Sequence, residues 1–244
     1  MLVLAIDTSS AAVTAAVAEV ADGVTVLARQ VVIDARAHGE RLAPGIALAL
    51  ARTGAGVSDL RAVVAGVGPG PFTGLRVGLV TAAAMGDALG IPTYGVCSLD
   101  AIAGALDEPS LLVAGDARRR EVYWARYRSG VRVAGPAVAK PADLVDGRAD
   151  LSATDPHKID SIRAGSGAIG ADAAMAGAGA RLYADVLGLR LADADYPSPE
   201  ALVRLAAERI RAGAPSEPLT PLYLRRPDVT PPGTAKSTTQ PVAP

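Results

Sequence analysis

The feature that most constrains the fold is an internal repeat. An apolar stretch over residues 2–6 ends at Asp7, and a second one over residues 111–115 ends at Asp116. Each is followed by extended segments with tight turns and then by segments in which apolar residues recur at helical spacing. Self-similarity of this kind constrains architecture more strongly than any single local preference. The sequence therefore predicts two similar α/β halves.

The patterns of the first half predict a defined order of elements. Residues 2–6, 12–20 and 24–33 are predicted strands of an antiparallel meander, because tight turns separate them. Leu42, Ile46 and Leu50 predict a helix, in which Pro44 is tolerable only within the first turn. This order is typical of a ribonuclease H-like half-domain. Further predicted elements are a strand at residues 63–67, a helix at 73–89 and a strand at 93–97.

The second half repeats this order. The predicted elements are a strand at residues 111–115, a hairpin of 121–128 and 131–138, a helix starting at 142–145, a strand at 162–165, and helices at 168–187 and 200–211. Two such halves favour an α/β protein with the duplicated ribonuclease H-like fold of actin, Hsp70 and the sugar kinases (ASKHA). We assign residues 1–107 and 108–226 to the two halves. Residues 227–244, rich in Pro, Thr, Ser and Ala, are predicted to be a disordered tail.

Composition narrows the class of protein. No apolar run approaches the ~18 residues of a membrane span, and Asp7 interrupts the apolar start, so we predict a soluble cytoplasmic protein that does not bind membranes. The single cysteine, Cys97, agrees with a reducing compartment and is interpreted as a core residue. A net charge of −1 gives the chain no overall electrostatic excess for binding nucleic acid alone.

A glycine-rich stretch and two aspartates form a candidate vestigial nucleotide or anion loop. The stretch GPGPFTGLRVG follows a strand and opens a helix, where a phosphate-binding loop would lie. The alternative interpretation is structural, with the two aspartates capping turns, Thr73 as the helix N-cap, and the glycines allowing close packing. The candidate residues are Asp7, Thr8, Gly68, Gly70, Thr73, Gly74 and Asp116.

The helix after the glycine-rich stretch is apolar on almost every side, with polar residues only at Arg76, Thr81 and Asp87. A helix of this kind must be buried on both sides, so the helix beginning near Glu40 or another protein covers its second side. Together the two helices would present an apolar surface typical of interfaces. The predicted partner-binding face consists of Leu42, Ile46, Leu50, Leu75, Leu79 and Ala82.

Catalytic constellations are mostly absent from the sequence. The two histidines, His38 and His157, form no metal-binding pair, and no serine lies in a GxSxG motif, so we expect no metal and no catalytic residue. His38 is interpreted as a surface or helix-start residue, with a partner contact as the alternative.

Six arginines and three aromatic residues alternate over residues 118–132. One interpretation is an RNA contact through phosphates and base stacking, and the other is an edge hairpin with one solvated face. These residues are Arg118, Arg119, Arg120, Tyr123, Trp124, Arg126, Tyr127, Arg128 and Arg132.

The chain resembles the TsaB (YeaZ) family in six stretches. These are LAIDTSS, RAHGERLAP, GPGPFTGLRVG, CSLDAIA, GDARRREVYWARY and PLYLRR, which span residues 1 to about 226. The resemblance implies a non-catalytic subunit with an ASKHA fold that lacks a working nucleotide site. It also implies that the two helices of the first half pair with the related catalytic subunit TsaD and form homodimers. The ATPase TsaE would be a further subunit of the complex.

Such a complex installs threonylcarbamoyl on the adenosine next to the anticodon, so tRNA would be bound indirectly, through the complex. We expect no cofactor on this chain alone, and leave open ATP or ADP with Mg at the complex interface. The main alternative is an ATPase or phosphotransferase that uses Asp7, Asp116 and the glycine loop. A peptidase is a weaker alternative, because the sequence offers neither a nucleophile nor a metal constellation.

Overall fold

The computed structural model describes residues 1–145 and 172–225. The strands are β1 (Leu2–Asp7), β2 (Ala12–Val20), β3 (Val24–Ile33), β4 (Leu60–Gly66), β5 (Thr93–Val96), β6 (Ser110–Asp116), β7 (Val122–Arg128), β8 (Val131–Ala139), β9 (Ala174–Ala176) and β10 (Arg190–Leu191). The helices are α1 (His38–Thr53), α2 (Phe72–Leu89), α3 (Ser98–Ala103), α4 (Pro141–Val145), α5 (Ala178–Leu182), α6 (Ala184–Leu187) and α7 (Pro199–Arg211), with a 3₁₀ turn at Val57–Asp59.

The strands of the described residues form two five-stranded sheets with the same pattern of strand pairing. The first has the order β3-β2-β1-β4-β5 and the second β10-β9-β6-β7-β8. In each, the central strand pairs antiparallel with the strand that follows it and parallel with a later strand, as β1 does with β2 and β4, and β6 with β7 and β9. The predicted duplicated ribonuclease H-like fold is confirmed.

The first sheet is covered by helices on both faces. Apolar residues of α1 and α2 pack with β1, β2 and β4 on one face. Helix α7 covers the other face with a stripe that includes Leu202, Val203, Ala206 and Ile210, whose spacing places them on one side of the helix. Burying one such Leu or Ile side chain stabilises the fold by roughly 1.5–3 kcal/mol.

The placement of α7 corrects the predicted assignment of residues 200–211. The helix was predicted as part of the second half, but it packs on the first sheet. The boundary near residue 107 separates the two sheets in the chain, whereas α7 returns from the second half to the first. Helix α3 also lies between the halves, because Ala101 packs with the first sheet and Leu99 and Ile102 pack with the second.

Two further predictions about elements were wrong. Pro44 lies inside α1, beyond its first turn, so the helix tolerates a missing backbone N–H there. Residues 174–176 form β9, parallel to β6, where a continuous helix was predicted. The alanines and methionine of this strand favour helix intrinsically, and pairing with β6 overrides that preference. The predicted strand at residues 162–165 and the predicted tail lie outside the described residues.

The segment that follows α7 contacts both halves. Leu222 N–H donates to the Val67 carbonyl at 2.9 Å and Glu217 N–H donates to the Thr93 carbonyl at 2.9 Å. Arg225 donates to the Ala117 carbonyl at 2.8 Å and pairs with Glu121 in the second half. No helix in the described ranges combines the length and the apolar character that a membrane crossing requires.

Candidate functional site

Asp7 lies at the end of β1, 1% exposed, with both carboxylate oxygens engaged. Its Oδ1 accepts from Ser9 N–H at 2.9 Å and from the Ser9 hydroxyl at 2.8 Å. Its Oδ2 accepts from the Ser98 hydroxyl at 2.5 Å. Burial raises the pKa of Asp7, and the hydrogen bonds from Ser98 and Ser9 oppose that rise. The carboxylate therefore ties the strand end to α3.

Thr8 joins β1 to α2 through its hydroxyl. The hydroxyl donates to the Gly74 carbonyl at 2.8 Å and accepts from Gly78 N–H at 2.9 Å. A regular α-helix would pair these two backbone groups with each other, so the hydroxyl is inserted in the helical ladder. A Cβ at Gly78 would lie 2.5 Å from the Thr8 hydroxyl oxygen. The glycine therefore permits this contact.

The glycine-rich loop packs against the end of β1. A Cβ at Gly70 would lie 2.1 Å from the Ser9 carbonyl oxygen, so only glycine fits that close approach. Gly68 exchanges hydrogen bonds with Ser98, through its N–H to the Ser98 hydroxyl at 3.2 Å and its carbonyl to Ser98 N–H at 2.8 Å. A similar close approach occurs in the second half, because a Cβ at Gly179 would lie 2.7 Å from the Gly115 carbonyl.

Of the seven candidate loop residues, Asp116 lines a cavity, five are buried beneath the end of β1 or in the glycine-rich loop, and Thr73 lies on the surface. Thr73 is not the helix N-cap, since α2 begins at Phe72 after Pro71 and has no side-chain cap. Asp116 lies at the end of β6, and its Oδ1 accepts from Arg118 N–H at 2.8 Å. A cavity of about 420 Å³ separates Ser9 and Ser10 on one wall from Asp116 on the other.

The six predicted interface residues are core residues of the chain itself. Leu42, Ile46, Leu50, Leu75, Leu79 and Ala82 are 0–7% exposed and pack against the first sheet. The predicted face is therefore the inner face of the two helices, and this assignment is corrected. The physical reason is that the most regular apolar stripe of a helix covers its own sheet before it can serve a partner.

The exposed side of α2 carries a different stripe. Phe72, Arg76, Val80, Ala83 and Asp87 follow one another at helical spacing, and Phe72 and Val80 are 47% and 66% exposed. The stripe borders a groove of about 570 Å³ against residues 216–223. Phe72 and Val80 were not predicted to be surface residues, although their spacing of eight residues would place them on one side of a helix.

An aromatic and cationic cluster lies at the start of this stripe. The rings of Phe72 and Tyr223 are 5.1 Å apart, and the Arg76 guanidinium lies 4.0 Å from the centre of the Phe72 ring. Arg76 Nε also donates to the Tyr223 hydroxyl at 2.9 Å. Exposed aromatic and arginine side chains that are already held in place are typical of the central contacts of protein interfaces.

The hairpin β7–β8 differs from the predicted RNA-stacking surface. Tyr123, Trp124 and Tyr127 are 1–6% exposed and fill the two faces of the second sheet, so they offer no stacking surface. Arg132 donates to Asp100 at 2.9 Å. The exposed arginines are those of the turn before β7 and Arg128.

His38 is buried and Cys97 is partly buried. His38 begins α1, as one interpretation predicted, but it is 8% exposed and its Nε2 lies 2.7 Å from the Ser10 carbonyl. Burial of the thiol raises the pKa of Cys97 to about 12, and the nearby Asp100 carboxylate adds to the rise.

Two ribonuclease H-like halves around a cleft define a protein of the ASKHA class. A model of the family described as "TsaD: tRNA N6-adenosine threonylcarbamoyltransferase" matches residues 28–229. The chain belongs to this family, and within it to the TsaB (YeaZ) branch.

Relatives and solved structures agree with this membership. The chain is 48% identical over 229 residues to an uncharacterized protein of Mycobacterium tuberculosis, covering 94% of each. It is 37% identical over 97 residues to the tRNA threonylcarbamoyladenosine biosynthesis protein TsaB of Escherichia coli, covering 38% of this chain and 42% of that protein. The structure of YeaZ from Pseudomonas aeruginosa has a TM-score of 0.69 at 25% identity, covering 91% of this chain and 100% of that one. The chain spans 56% of an uncharacterized Mycobacterium leprae protein to which it is 48% identical.

Proposed function

We propose that this chain is a non-catalytic subunit in the biosynthesis of threonylcarbamoyladenosine in tRNA, and that it binds a TsaD-type catalytic partner in the cytoplasm. The observation that carries the proposal is the exposed stripe of α2. Together with family membership, it offers a preformed apolar and aromatic surface on a chain in which the Asp7 carboxylate is held by Ser9 and Ser98.

The engagement of Asp7 supports a binding role over catalysis. Oδ1 accepts two hydrogen bonds from Ser9 and Oδ2 accepts one from Ser98, so these donors compete with magnesium for the carboxylate. A nucleotide-hydrolysing site requires such an oxygen to face the phosphates through metal or water. The rival function, an ATPase or phosphotransferase acting alone, is thereby disfavoured.

The partner surface is proposed to consist of Phe72, Arg76, Val80 and Tyr223. Apolar and aromatic side chains near the centre of an interface account for most of the binding free energy. The same surface would serve a homodimer in the absence of the partner. ATP or ADP with Mg at the interface, and participation of a TsaE-type ATPase, belong to the complex rather than to this chain.

Val80→Asp tests the partner surface in co-expression with the TsaD-type protein of the same genome. Val80 is 66% exposed, so the substitution should change the free energy of unfolding by no more than about 0.5 kcal/mol. A charge buried at an interface should weaken association by about 2 kcal/mol or more, roughly 30-fold. Association is measured by co-elution and by calorimetry.

Val131→Asp is the matched control, because Val131 is 65% exposed and lies at the start of β8 in the other half. We expect this variant to bind the partner like the unaltered chain and to support threonylcarbamoyl transfer to tRNA. Equal binding by both variants would remove α2 from the interface. Failure of the unaltered chain to associate, combined with ATP hydrolysis by the chain alone, would replace the binding role by an enzymatic one.

A further inference from the structure

The outer edge of β3 lacks the kinds of protection that the other sheet edges have in the part of the chain that the structure describes. Glu217 of the C-terminal segment hydrogen-bonds to Thr93 and Gly95 along β5, through its N–H and its carboxylate. Strand β10 has two residues, and β8 contains Pro136. Cover by another segment, short length and proline all hinder the pairing of an edge strand with another chain. Strand β3 has ten residues, no proline and one charged residue, Arg29.

One row of backbone groups on β3 faces away from the sheet. Asp34 N–H donates to the Ala11 carbonyl, which precedes β2. The same register continues back to Ala28, and Leu27 then forms a bulge. Because alternate residues of an edge strand bond to its neighbour, the even-numbered residues of this regular stretch pair with β2. The N–H and C=O groups that face outward are those of Arg29, Val31 and Ile33.

Four exposed apolar side chains lie on this one strand. Leu27, Val31, Val32 and Ile33 are 39–63% exposed. A long apolar edge strand of this kind binds an extended chain, which adds one more strand to the sheet. The C-terminal stretch 227–232 is poorly suited to that role, because three of its six residues are prolines, which have no N–H to donate. A second β3 keeps every N–H group.

We propose that β3 pairs antiparallel with β3 of a second copy of this chain, so that the two first sheets become one continuous sheet. Residues opposite each other must face the same side of the joined sheet, and their backbone groups must both point outward. Pairing Val31 with Val31 of the second copy satisfies both conditions and places Arg29 opposite Ile33. The arrangement has two-fold symmetry, as contacts between identical chains usually have.

The distribution of charge favours this register. It places Asp34 of one copy opposite Ala28 of the other, on the side of the sheet where Ala28 packs with α1. Ala28 and Arg52 line the same cavity of about 420 Å³, and Arg52 forms no ion pair within the described ranges. The acidic residue of that cavity, Glu200, pairs within its own helix. Asp34 Oδ1 accepts from Arg36 N–H at 2.9 Å, so Oδ2 of the second copy can meet Arg52, and symmetry repeats the contact.

This contact is separate from the partner surface on α2. Helix α2 packs on β4 and β5, whereas β3 is at the opposite edge of the same sheet. Two copies joined through β3 would therefore keep Val80 accessible. The proposal accordingly does not depend on binding of a TsaD-type protein, and the two kinds of association can be measured apart.

The first test measures self-association by sedimentation equilibrium in a Val80→Asp chain, so that α2 does not contribute. The concentration is raised to about 0.5 mM, because small interfaces bind weakly. Val31→Lys should weaken self-association at least ~10-fold, since it places two lysines opposite each other. Val131→Lys is the matched control, because Val131 is 65% exposed and lies on the edge strand β8. We expect the control to associate like the unaltered surface.

A charge exchange tests the register. Asp34→Lys and Arg52→Glu should each weaken self-association ~10-fold, because each brings like charges together. The double variant restores opposite charges and should recover the affinity to within ~3-fold. A double variant that stays as weak as the single ones would overturn this pairing, since loss of local structure alone predicts no recovery.

Amide hydrogen exchange gives a readout that needs no substitution in β3. In the Val80→Asp chain, the amides of Arg29, Val31 and Ile33 should exchange more slowly as the concentration rises. A chain that stays monomeric, or amides that exchange equally fast at every concentration, would overturn the proposal. So would an equal loss of association in the Val131→Lys control. Protection that appears only when the TsaD-type protein is added would assign the edge to that protein and refute pairing between copies.

Discussion

Substitutions of Asp7 distinguish most clearly between a structural and a catalytic role for this aspartate. Replacement by Ala leaves three buried donors without their acceptor, namely Ser9 N–H and the hydroxyls of Ser9 and Ser98. An unsatisfied buried donor costs about 1–3 kcal/mol, and the hydroxyls can rotate toward other acceptors. We expect Asp7→Ala to lower the free energy of unfolding by about 3–5 kcal/mol.

Asp7→Asn should behave differently because the amide is nearly the same shape. Its oxygen can accept from Ser9, and its NH₂ group can donate to the Ser98 hydroxyl oxygen. The replacement also removes a carboxylate whose ionisation burial disfavours. We therefore expect a change of no more than about 1 kcal/mol near neutral pH.

The dependence on pH gives this prediction a definite sign. The folded pKa of Asp7 is raised by burial, so the folded state holds its proton at pH values where the unfolded state has lost it. The stability contributed by this group is complete below the unfolded pKa and is lost as pH rises through the folded value. Urea unfolding from acidic to neutral pH should thus show Asp7→Asn gaining stability relative to the unaltered chain.

Two results would refute this reasoning. One is a difference between Asp7→Asn and the unaltered chain that stays constant with pH, which would mean that the folded pKa is not raised. The other is an Asp7→Asn chain that is stable and binds the TsaD-type partner but no longer supports tRNA modification. That outcome would give the ionised carboxylate a chemical role.

Two further predictions concern Leu79 and Cys97. Leu79→Asp should lower the free energy of unfolding by at least about 5 kcal/mol, because it removes a Leu side chain that is 5% exposed and buries a charge. Circular dichroism should show an unfolded chain, and a folded variant that only loses its partner would contradict the assignment of Leu79 to the core. With a pKa of about 12, Cys97 should react with a thiol reagent at pH 8 far more slowly than the urea-unfolded chain does; similar rates would show an accessible thiol.

Much of the architecture could be predicted because periodicity is local. The bounds of β2 and β3 coincide with the predicted strands, and α2 begins one residue before its predicted start. Hydrophobic alternation and helical spacing are determined by the geometry of each element, so they appear in the sequence without knowledge of the fold.

The outward face of α2 could not be predicted in the same way. Its inner face contains Gly74, Gly78 and Gly86 beside Leu75 and Leu79, while Val80 points to solvent. A helix that buries glycines to approach a strand closely has no simple apolar side. Because small residues lie on the inner face and a large apolar residue lies on the outer face, the hydrophobicity of the sequence does not distinguish the two faces. The interface prediction depended on that distinction.

The partner of α7 was equally hidden from the sequence. Its stripe of Leu202, Ala206 and Ile210 shows that it must cover a sheet, but not which one. Only the assembled topology shows that the chain crosses back to the first sheet. The aromatic residues of β7 were also ambiguous. Mixed with arginines, they could lie on the surface or in the core, and the structure shows that the centre of β7 is buried on both faces.

The return of α7 also affects how the chain acquires its structure during synthesis. The face of the first sheet that contains Val3, Ala16 and Val64 emerges early from the ribosome, yet its cover, Leu202 and its neighbours, emerges much later. Until then, this apolar surface lacks the cover of α7, and exposed sheet faces of this kind promote aggregation. The first half therefore cannot complete its fold during synthesis until α7 has been made. Before that point, the nascent chain must keep this apolar face from aggregating.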